Sequence, residues 1–153
     1  MIWVVTPLTG TNFMSGEKYT LDTNILIYSI DRQAGKRHQQ SIEMIEAMLH
    51  EDCVLTLQAL SEFYYAVTRK GKMPRDDAEA QVIDWMVIFP VVNAEPGVLR
   101  RVMKTVTEHQ FSFWDAMLLE TAAQAGVTRF ISEDMQHDRL WKGMRIQNPY
   151  PTS

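Results

Sequence analysis

The sequence predicts an α/β fold in which helices cover both faces of a mainly parallel sheet. Short apolar segments alternate along the chain with longer segments whose apolar residues recur at helical spacing. This alternation is typical of parallel strands that are joined by right-handed crossover helices. The 153 residues are 46% hydrophobic and 22% charged. That length and composition suit one domain with a buried core and argue against disorder.

The predicted strands alternate with single helices or pairs of helices over most of the chain. The predicted strands are 18–22, "CVLTL" at 53–57, 91–92, "TRFIS" at 128–132 and "MRIQ" at 144–147. The predicted helices are 36–50, 58–70, 74–89, 96–109 and 111–126. In the first helix Ile42, Ile45 and Leu49 recur at helical spacing. Gly71 ends the second helix, and Ser112 is the predicted N-cap of the last.

The domain is expected to span residues 18–150, preceded by an N-terminal extension at 1–17 that is poorly ordered. Met14 opens a short polar lead into the first strand, so we hypothesise that it is the cellular start. Mass spectrometry of the natural protein would test this, and finding Trp3 in the mature chain would contradict it. The start lacks a basic region and a cleavage site, which makes a signal peptide improbable.

The composition of the chain limits its expected cellular location and its expected binding partners. No run approaches the ~20 apolar residues of a membrane span, so no membrane association is expected. The single cysteine, Cys53, excludes an internal disulfide, and a reducing cytoplasm is expected. The formal net charge of -4 argues against a broad basic surface for nucleic acids. Several acids gathered in one cation-binding site would account for that excess.

Four acidic residues lie at positions where packing of the hydrophobic core does not explain a carboxylate. Asp22 ends the first predicted strand and Asp134 follows the strand at 128–132 by two residues, so both lie at carboxyl ends, where ligands gather in parallel sheets. Glu62 and Asp115 lie on largely apolar helix faces that should point inward. An isolated buried carboxylate is costly unless it is paired or binds metal. Since no Arg or Lys shares the same face within one turn of either helical acid, an external cation is the simplest partner.

Each acid also has a purely structural interpretation. Asp22 could cap the turn that follows it, and Asp134 could be an N-cap. Asp115 completes an S-x-x-D pattern that resembles a capping box, and Glu62 could reach solvent. These interpretations must all hold together, and they leave the shared location at one sheet edge as a coincidence. Local rules broken at several convergent places indicate a site.

Oxygen-only ligands without a His or Cys cluster select hard cations, so Mg²⁺ or Mn²⁺ is the expected cofactor. Such a cation binds substrate phosphates and activates a water molecule, which needs no covalent nucleophile. Four neighbouring carboxylates repel one another, and this repulsion should raise at least one pKa in the absence of metal.

Four motifs occur in a specific order: "LDTNILIYSID", "ALSEFYYAVTRK", "FSFWDAMLLETAAQAG" and "ISEDMQHD". In that order they resemble the motifs of the PIN-domain ribonucleases, most closely the VapC-type toxins of bacterial VapBC toxin–antitoxin pairs. The resemblance covers residues 18–148. It implies a three-layer α/β/α sandwich and metal-dependent endonucleolytic cleavage of RNA by water attack on a phosphodiester. It also implies an antitoxin that blocks the site and a homodimer.

The resemblance assigns roles residue by residue. Asp22, Glu62, Asp115 and Asp134 match the acidic quartet of the family, with Asp22 and Asp115 as principal metal ligands. Glu62 and Asp134 would bind the metal directly or through waters, or orient the attacking water.

Other positions near the quartet receive secondary roles. Thr23 and Ser132 match hydroxyl positions that assist near the metal. Glu133 adjoins Asp134, so the fourth role could be misassigned by one residue. Asp138 is either an accessory ligand or a solvated charge.

Three clusters of basic residues are candidates for binding RNA. Alternatively, each is a set of charged side chains that are simply exposed to solvent. The cluster nearest to the acids in sequence is preferred as the substrate-binding group; it consists of Arg139, Lys142 and Arg145. The other two are Arg100, Arg101 and Lys104, and Arg69, Lys70 and Lys72. The Met and aromatic stripes on 36–50 and 58–70 are expected to be mostly core, with part left as a groove for a partner helix or for dimerisation.

Two alternatives to the nuclease interpretation were weighed. One is a catalytically silent PIN-like module that binds RNA or protein, whose hallmark would be a missing acid; all four acids are present. The other is a different acidic α/β enzyme. "DTN" lacks the second Asp of a dehalogenase-type phosphatase, and "RFISED" lacks the late-strand Lys of a receiver domain.

Overall fold

The computed structural model describes residues 16–150. The hypothesis that Met14 is the cellular start, and most of the expected extension at 1–17, therefore lie outside the described residues. At the edge of the described part, Glu17 already contacts the domain. Its carboxylate accepts hydrogen bonds from Thr128 Oγ1 at 2.6 Å and from Arg129 Nε at 3.0 Å.

The described part of the chain contains six α-helices, one short 3-10 helix at Arg32–Ala34 and six strands. The helices are α1 Thr23–Tyr28, α2 Lys36–Met48, α3 Leu57–Arg69, α4 Arg75–Ile88, α5 Pro96–Glu108 and α6 Phe113–Gln124. The strands are β1 Tyr19–Leu21, β2 Leu55–Thr56, β3 Val91–Val92, β4 Arg129–Ile131, β5 Leu140–Trp141 and β6 Met144–Gln147. The five predicted strands and five predicted helices are all present, and α1 and β5 were not predicted.

The sheet is mainly parallel, as the alternation of elements predicted. Four strands follow the order β1–β4–β6–β5, with β5 antiparallel to β6 and the other pairs parallel. The pair β2–β3 is also parallel, and a bridge between Tyr19 and Cys53 joins it to β1. The resulting architecture is the expected α/β/α sandwich. Its parallel strands direct their carboxyl ends, and thus the loops after β1 and β4, to one edge.

The core lies between the sheet and the helices. Its fully buried side chains include Leu21, Phe63, Phe130 and Ile146. The rings of Phe63 and Trp85 meet edge to face with centroids 4.8 Å apart, which packs α3 against α4. Within residues 16–150, no helix is both long enough and apolar enough to cross a membrane.

The apolar stripes divide between core and surface. Met44 and Met48 on α2 are buried in the core, as expected. On α3, however, Tyr64 and Tyr65 follow the buried Phe63 and are both exposed. Neighbouring positions on a helix point in different directions, so consecutive aromatic residues could not all reach the core.

Candidate active site

Asp22 follows β1 directly and caps α1. Its Oδ1 accepts a 2.7 Å hydrogen bond from the Thr23 backbone N–H, and its Oδ2 accepts one of 2.7 Å from Ser132 Oγ. The residue is only 5% exposed. The capping role is therefore real, and it also holds the carboxylate at the carboxyl end of two neighbouring parallel strands.

Glu62 projects from α3, whose start is set by the Thr56 side chain accepting a 3.0 Å hydrogen bond from the Ala59 N–H. Two side chains hold the Glu62 carboxylate. Thr23 Oγ1 donates to Oε1 at 2.7 Å, and Gln58 Nε2 donates to Oε2 at 3.3 Å. Glu62 is therefore oriented toward the end of β1 and does not extend freely into solvent.

Asp115 lies in the first turn of α6. The Ser112 side chain caps this helix by accepting a 3.2 Å hydrogen bond from the Asp115 N–H, as the S-x-x-D pattern predicted. Gln58, which holds Glu62, also donates to the Trp114 carbonyl at 3.2 Å. One amide group thus links the helices that carry Glu62 and Asp115.

Asp134 lies in the loop after β4. Its Oδ2 accepts a hydrogen bond from Asn24 Nδ2, and its N–H donates to Ser132 Oγ at 3.2 Å. The neighbouring Glu133 accepts a 2.8 Å hydrogen bond from the Tyr28 hydroxyl and forms an ion pair with Arg37. Asp134, and not Glu133, lines the same pocket as Asp22, Glu62 and Asp115.

These four acids line one open pocket of about 340 Å³. The wall of this pocket also includes Thr23, Asn24, Tyr65 and Lys70. Asp138, the possible accessory ligand, does not line the pocket and pairs with Arg145 at 2.8 Å. The structure therefore brings together side chains from a strand end, two helices and a loop.

Electrostatics in this pocket disfavour several negative charges at once. Burial raises the pKa of Asp22 to about 6, and the charges of Asp134 and Asp115 add to that rise against the opposing hydrogen bonds. The pKa of Asp134 is also raised, first by burial and then by Glu133 and Asp115. The direction agrees with the expected repulsion, although burial is the larger cause for both groups.

The donor set fits a hard divalent cation. Its four charged ligand candidates are all carboxylates, and none of them forms an ion pair within the described part of the chain. Among residues 16–150 no three His, Cys, Asp or Glu side chains form a ready-made metal cluster. Mg²⁺ usually retains several waters and takes one or two carboxylates directly, so a more open arrangement of acids is consistent with it.

The basic cluster preferred for substrate binding, Arg139, Lys142 and Arg145, does not line this pocket. Each of its members is engaged elsewhere in the protein. The contacts are Arg139 over the Phe111 ring at 4.5 Å, Lys142 with Glu120 at 2.8 Å and Arg145 with Asp138 at 2.8 Å. Nearness in sequence to Asp134 did not translate into nearness to the pocket, since β5 and β6 turn back along the sheet.

The sequence indicated Lys70 only as a member of the alternative basic cluster of Arg69, Lys70 and Lys72, and it indicated no functional role for Tyr65, although both line the pocket. Tyr65 lies three positions after Glu62, and Lys70 lies eight positions after it, two turns along the same helix. A search limited to one helical turn could not reach Lys70. Extending the helical spacing over two turns would have indicated it.

The comparison with protein-family models decides which family this is. The PIN domain model matches residues 19–142, well over half of the chain. The chain belongs to the PIN domain family. None of the curated proteins compared with this PIN domain protein matches it.

Three solved structures with the same fold are distant in sequence. A toxin–antitoxin complex from Klebsiella pneumoniae is 18% identical, with a TM-score of 0.65 over 88% of this chain and 100% of that one. DNA-bound VapBC from Salmonella typhimurium is 15% identical, with a TM-score of 0.61 over 88% and 99%. VapC20 from Mycobacterium tuberculosis, described as a sarcin-ricin loop cleaving toxin, is 12% identical, with a TM-score of 0.60 over 74% and 87%.

Proposed function

We propose that this PIN domain protein is a metal-dependent endoribonuclease that hydrolyses RNA phosphodiester bonds and acts as the toxin of a toxin–antitoxin pair. The observation that carries the proposal is the single pocket lined by Asp22, Glu62, Asp115 and Asp134. Membership in the PIN domain family supports it. Among the described residues that line the pocket there is no His or Cys, so hydrolysis by water is the chemistry that suits its donors.

In this proposal each acid has a distinct part. Asp22 and Asp115 are the principal metal ligands, while Glu62 and Asp134 bind the metal directly or through waters, or orient the attacking water. A bound Mg²⁺ or Mn²⁺ would supply Lewis acidity, lowering the pKa of a water and neutralising phosphate charge. Thr23 and Gln58 hold the Glu62 carboxylate in place, and Asn24 holds Asp134.

A protein partner is the second part of the proposal. The similar structures from Klebsiella and Salmonella are toxin–antitoxin assemblies by their descriptions. An exposed apolar groove between α3 and α4, lined by residues that include Leu57, Val82, Ile83 and Met86, supports an antitoxin helix as its occupant. Homodimerisation and a cytoplasmic location remain predictions from sequence.

The decisive test is incubation of the purified protein with total cellular RNA. Cleavage should require added Mg²⁺ or Mn²⁺, stop with chelator, and yield new RNA ends that map to defined positions. Asp115→Asn should abolish it while the circular dichroism spectrum is retained. RNA binding without any metal-dependent cleavage would overturn the nuclease proposal in favour of a silent PIN-like binding module.

The partner is tested separately. Co-expression with a small protein encoded beside the gene should raise the soluble yield and suppress cleavage, and light scattering should report the stoichiometry of the complex. Failure of every neighbouring product to bind would contradict the toxin–antitoxin part and leave the nuclease part intact.

A further inference from the structure

A second pocket adjoins the acidic one and shares a wall with it. This neighbouring pocket, about 590 Å³, is lined by Tyr64, Tyr65, Thr68, Arg69 and Arg75. Tyr65 lines both pockets and is 62% exposed. One face of the Tyr65 ring is covered by the Arg69 guanidinium at 5.6 Å. An aromatic ring and two arginines therefore stand directly beside the proposed catalytic acids.

The α3 helix aligns these groups in a row. Glu62, Tyr65 and Arg69 are spaced by three and four residues, which places them on one helix face. Seven residues of helix span about 10 Å along the axis. Along this face, Glu62 lines the acidic pocket, Tyr65 lines both pockets and Arg69 lines the neighbouring pocket.

The three cations of these two pockets are not neutralised by carboxylates, which is also true of five cations elsewhere in residues 16–150. In the part of the chain that the structure describes, seven other cations form ion pairs with carboxylates; they are Arg37, Lys72, Arg101, Lys104, Arg129, Lys142 and Arg145. Arg69, Lys70 and Arg75 form none within residues 16–150. Positive charge left uncompensated beside an acidic pocket is suited to an anionic ligand that must enter that pocket.

We propose that the pocket of Tyr65, Arg69 and Arg75 is a subsite for single-stranded RNA, in which one base stacks on Tyr65 and the adjoining phosphates contact the two arginines. The proposal rests on the proposed ribonuclease function. Aromatic rings bind bases of any sequence through their π-faces, and the guanidinium fork matches phosphate geometry. Lys70, within the acidic pocket, offsets the repulsion between the carboxylates and the incoming strand.

Fluorescence anisotropy in EDTA tests this subsite. It measures the binding of a labelled, randomised 12-nucleotide single-stranded RNA to the full chain. Tyr65→Ala should weaken binding at least about fivefold, whereas Tyr65→Phe, which keeps the ring, should bind like the wild type. Since each phosphate contact to a single strand contributes about 0.7 to the slope of log K against log salt, Arg69→Gln with Arg75→Gln should reduce that slope by about 1.4.

The matched control is Arg32→Gln, which replaces an exposed arginine that lines neither pocket and belongs to none of the candidate basic clusters, and it should leave both readouts unchanged. Thermal melting of every variant checks the fold. Affinities and salt slopes equal to those of the control would overturn the subsite. So would loss of an antitoxin partner with RNA affinity retained, since the surface would then belong to a protein.

The same variants separate this proposal from the nuclease proposal. Cleavage by the wild type together with unchanged RNA binding by the variants would overturn the subsite alone. Binding that depends on Tyr65 without any cleavage would support the subsite and overturn the nuclease. A wild-type protein that neither binds nor cuts RNA would overturn both.

Discussion

Thr23 and Glu62 lie 39 residues apart in the sequence and are joined by a 2.7 Å hydrogen bond between their side chains. Thr23 begins α1 and directly follows Asp22, whereas Glu62 projects from α3. The bond therefore fixes the distance between an acid at the end of β1 and an acid on a helix. A hydroxyl that orients a ligand in this way typically affects metal affinity without touching the metal.

Replacing Thr23 by Val should weaken metal binding, because Val has nearly the same shape but no hydroxyl donor for Glu62. We expect about a 10-fold or greater loss of Mn²⁺ affinity, measured by titration calorimetry, with a matching loss of RNA cleavage. Thr23→Ser keeps the donor and should restore both. If Thr23→Val bound Mn²⁺ as tightly as the wild type, Glu62 would not depend on this bond.

Gln58→Met should also weaken metal binding, since the Gln58 amide holds Glu62 and links α3 to Trp114 on α6. The loss in Mn²⁺ affinity should exceed any loss in stability. Gln58 Oε1 is buried without a hydrogen bond among the described residues, so its removal also relieves an unsatisfied acceptor. Calorimetry and urea unfolding measure the two effects.

Gln39→Met is the matched control for that change. Gln39 donates to Glu43 at 3.5 Å with the same four-residue spacing, but on the exposed face of α2. Its replacement should alter neither metal affinity nor cleavage. Equal effects of the two variants would show that Gln58 has no special role in positioning Glu62.

The stability of the metal-free protein should depend on Asp22 with a definite sign. Its pKa rises from 3.8 in the unfolded chain to about 6 in the folded one. The folded protein therefore binds this proton more tightly, and stability is lost as the pH rises from about 4 to about 6. The cost above that range is about 3 kcal/mol. Asp22→Asn should raise the free energy of unfolding at pH 7.

Urea unfolding in EDTA between pH 4 and pH 8 measures this effect. The gap between Asp22→Asn and the wild type should grow from near zero at the acid end to its full size above pH 6. Asp52→Asn, at an exposed acid, should show no such gap. A wild-type protein whose stability does not fall between pH 4 and pH 6 relative to Asp22→Asn would contradict the raised pKa.

Lys142→Met should destabilise the fold and leave RNA binding unchanged, contrary to the role that sequence proximity suggested. Lys142 donates at 2.8 Å to Glu120, which is 1% exposed and also accepts a 2.6 Å hydrogen bond from Thr105. Losing one donor to a buried carboxylate should cost about 1–3 kcal/mol, measured by urea unfolding.

Lys104→Met is the control for that prediction, because Lys104 and Glu108 form an exposed pair at 4.0 Å. Surface pairs of this kind contribute little, so its replacement should change stability by less than about 1 kcal/mol. Weaker RNA binding by Lys142→Met, with unchanged stability, would support the substrate-binding role that the sequence predicts for Lys142.

The sequence by itself determined the order of strands and helices over most of the chain and the candidate acids. Strand and helix periodicities are local, and so is the Ser112 cap that starts α6 beside Asp115. The rule that parallel strands present ligands at their carboxyl ends then placed Asp22 and Asp134 at one edge. The short helix α1 was not predicted because its six residues are too few to show a helical period, although Asp22, the candidate cap of a turn, is its N-cap.

Only the tertiary structure decided which side chains meet. Ser132 reaches Asp22 across 110 positions, and Lys142 reaches Glu120 across 22, in contacts that no local spacing encodes. Whether a cation is held by a buried acid or remains available to RNA depends on how elements pack. That packing is a property of the whole core, so neighbouring residues alone could not reveal it.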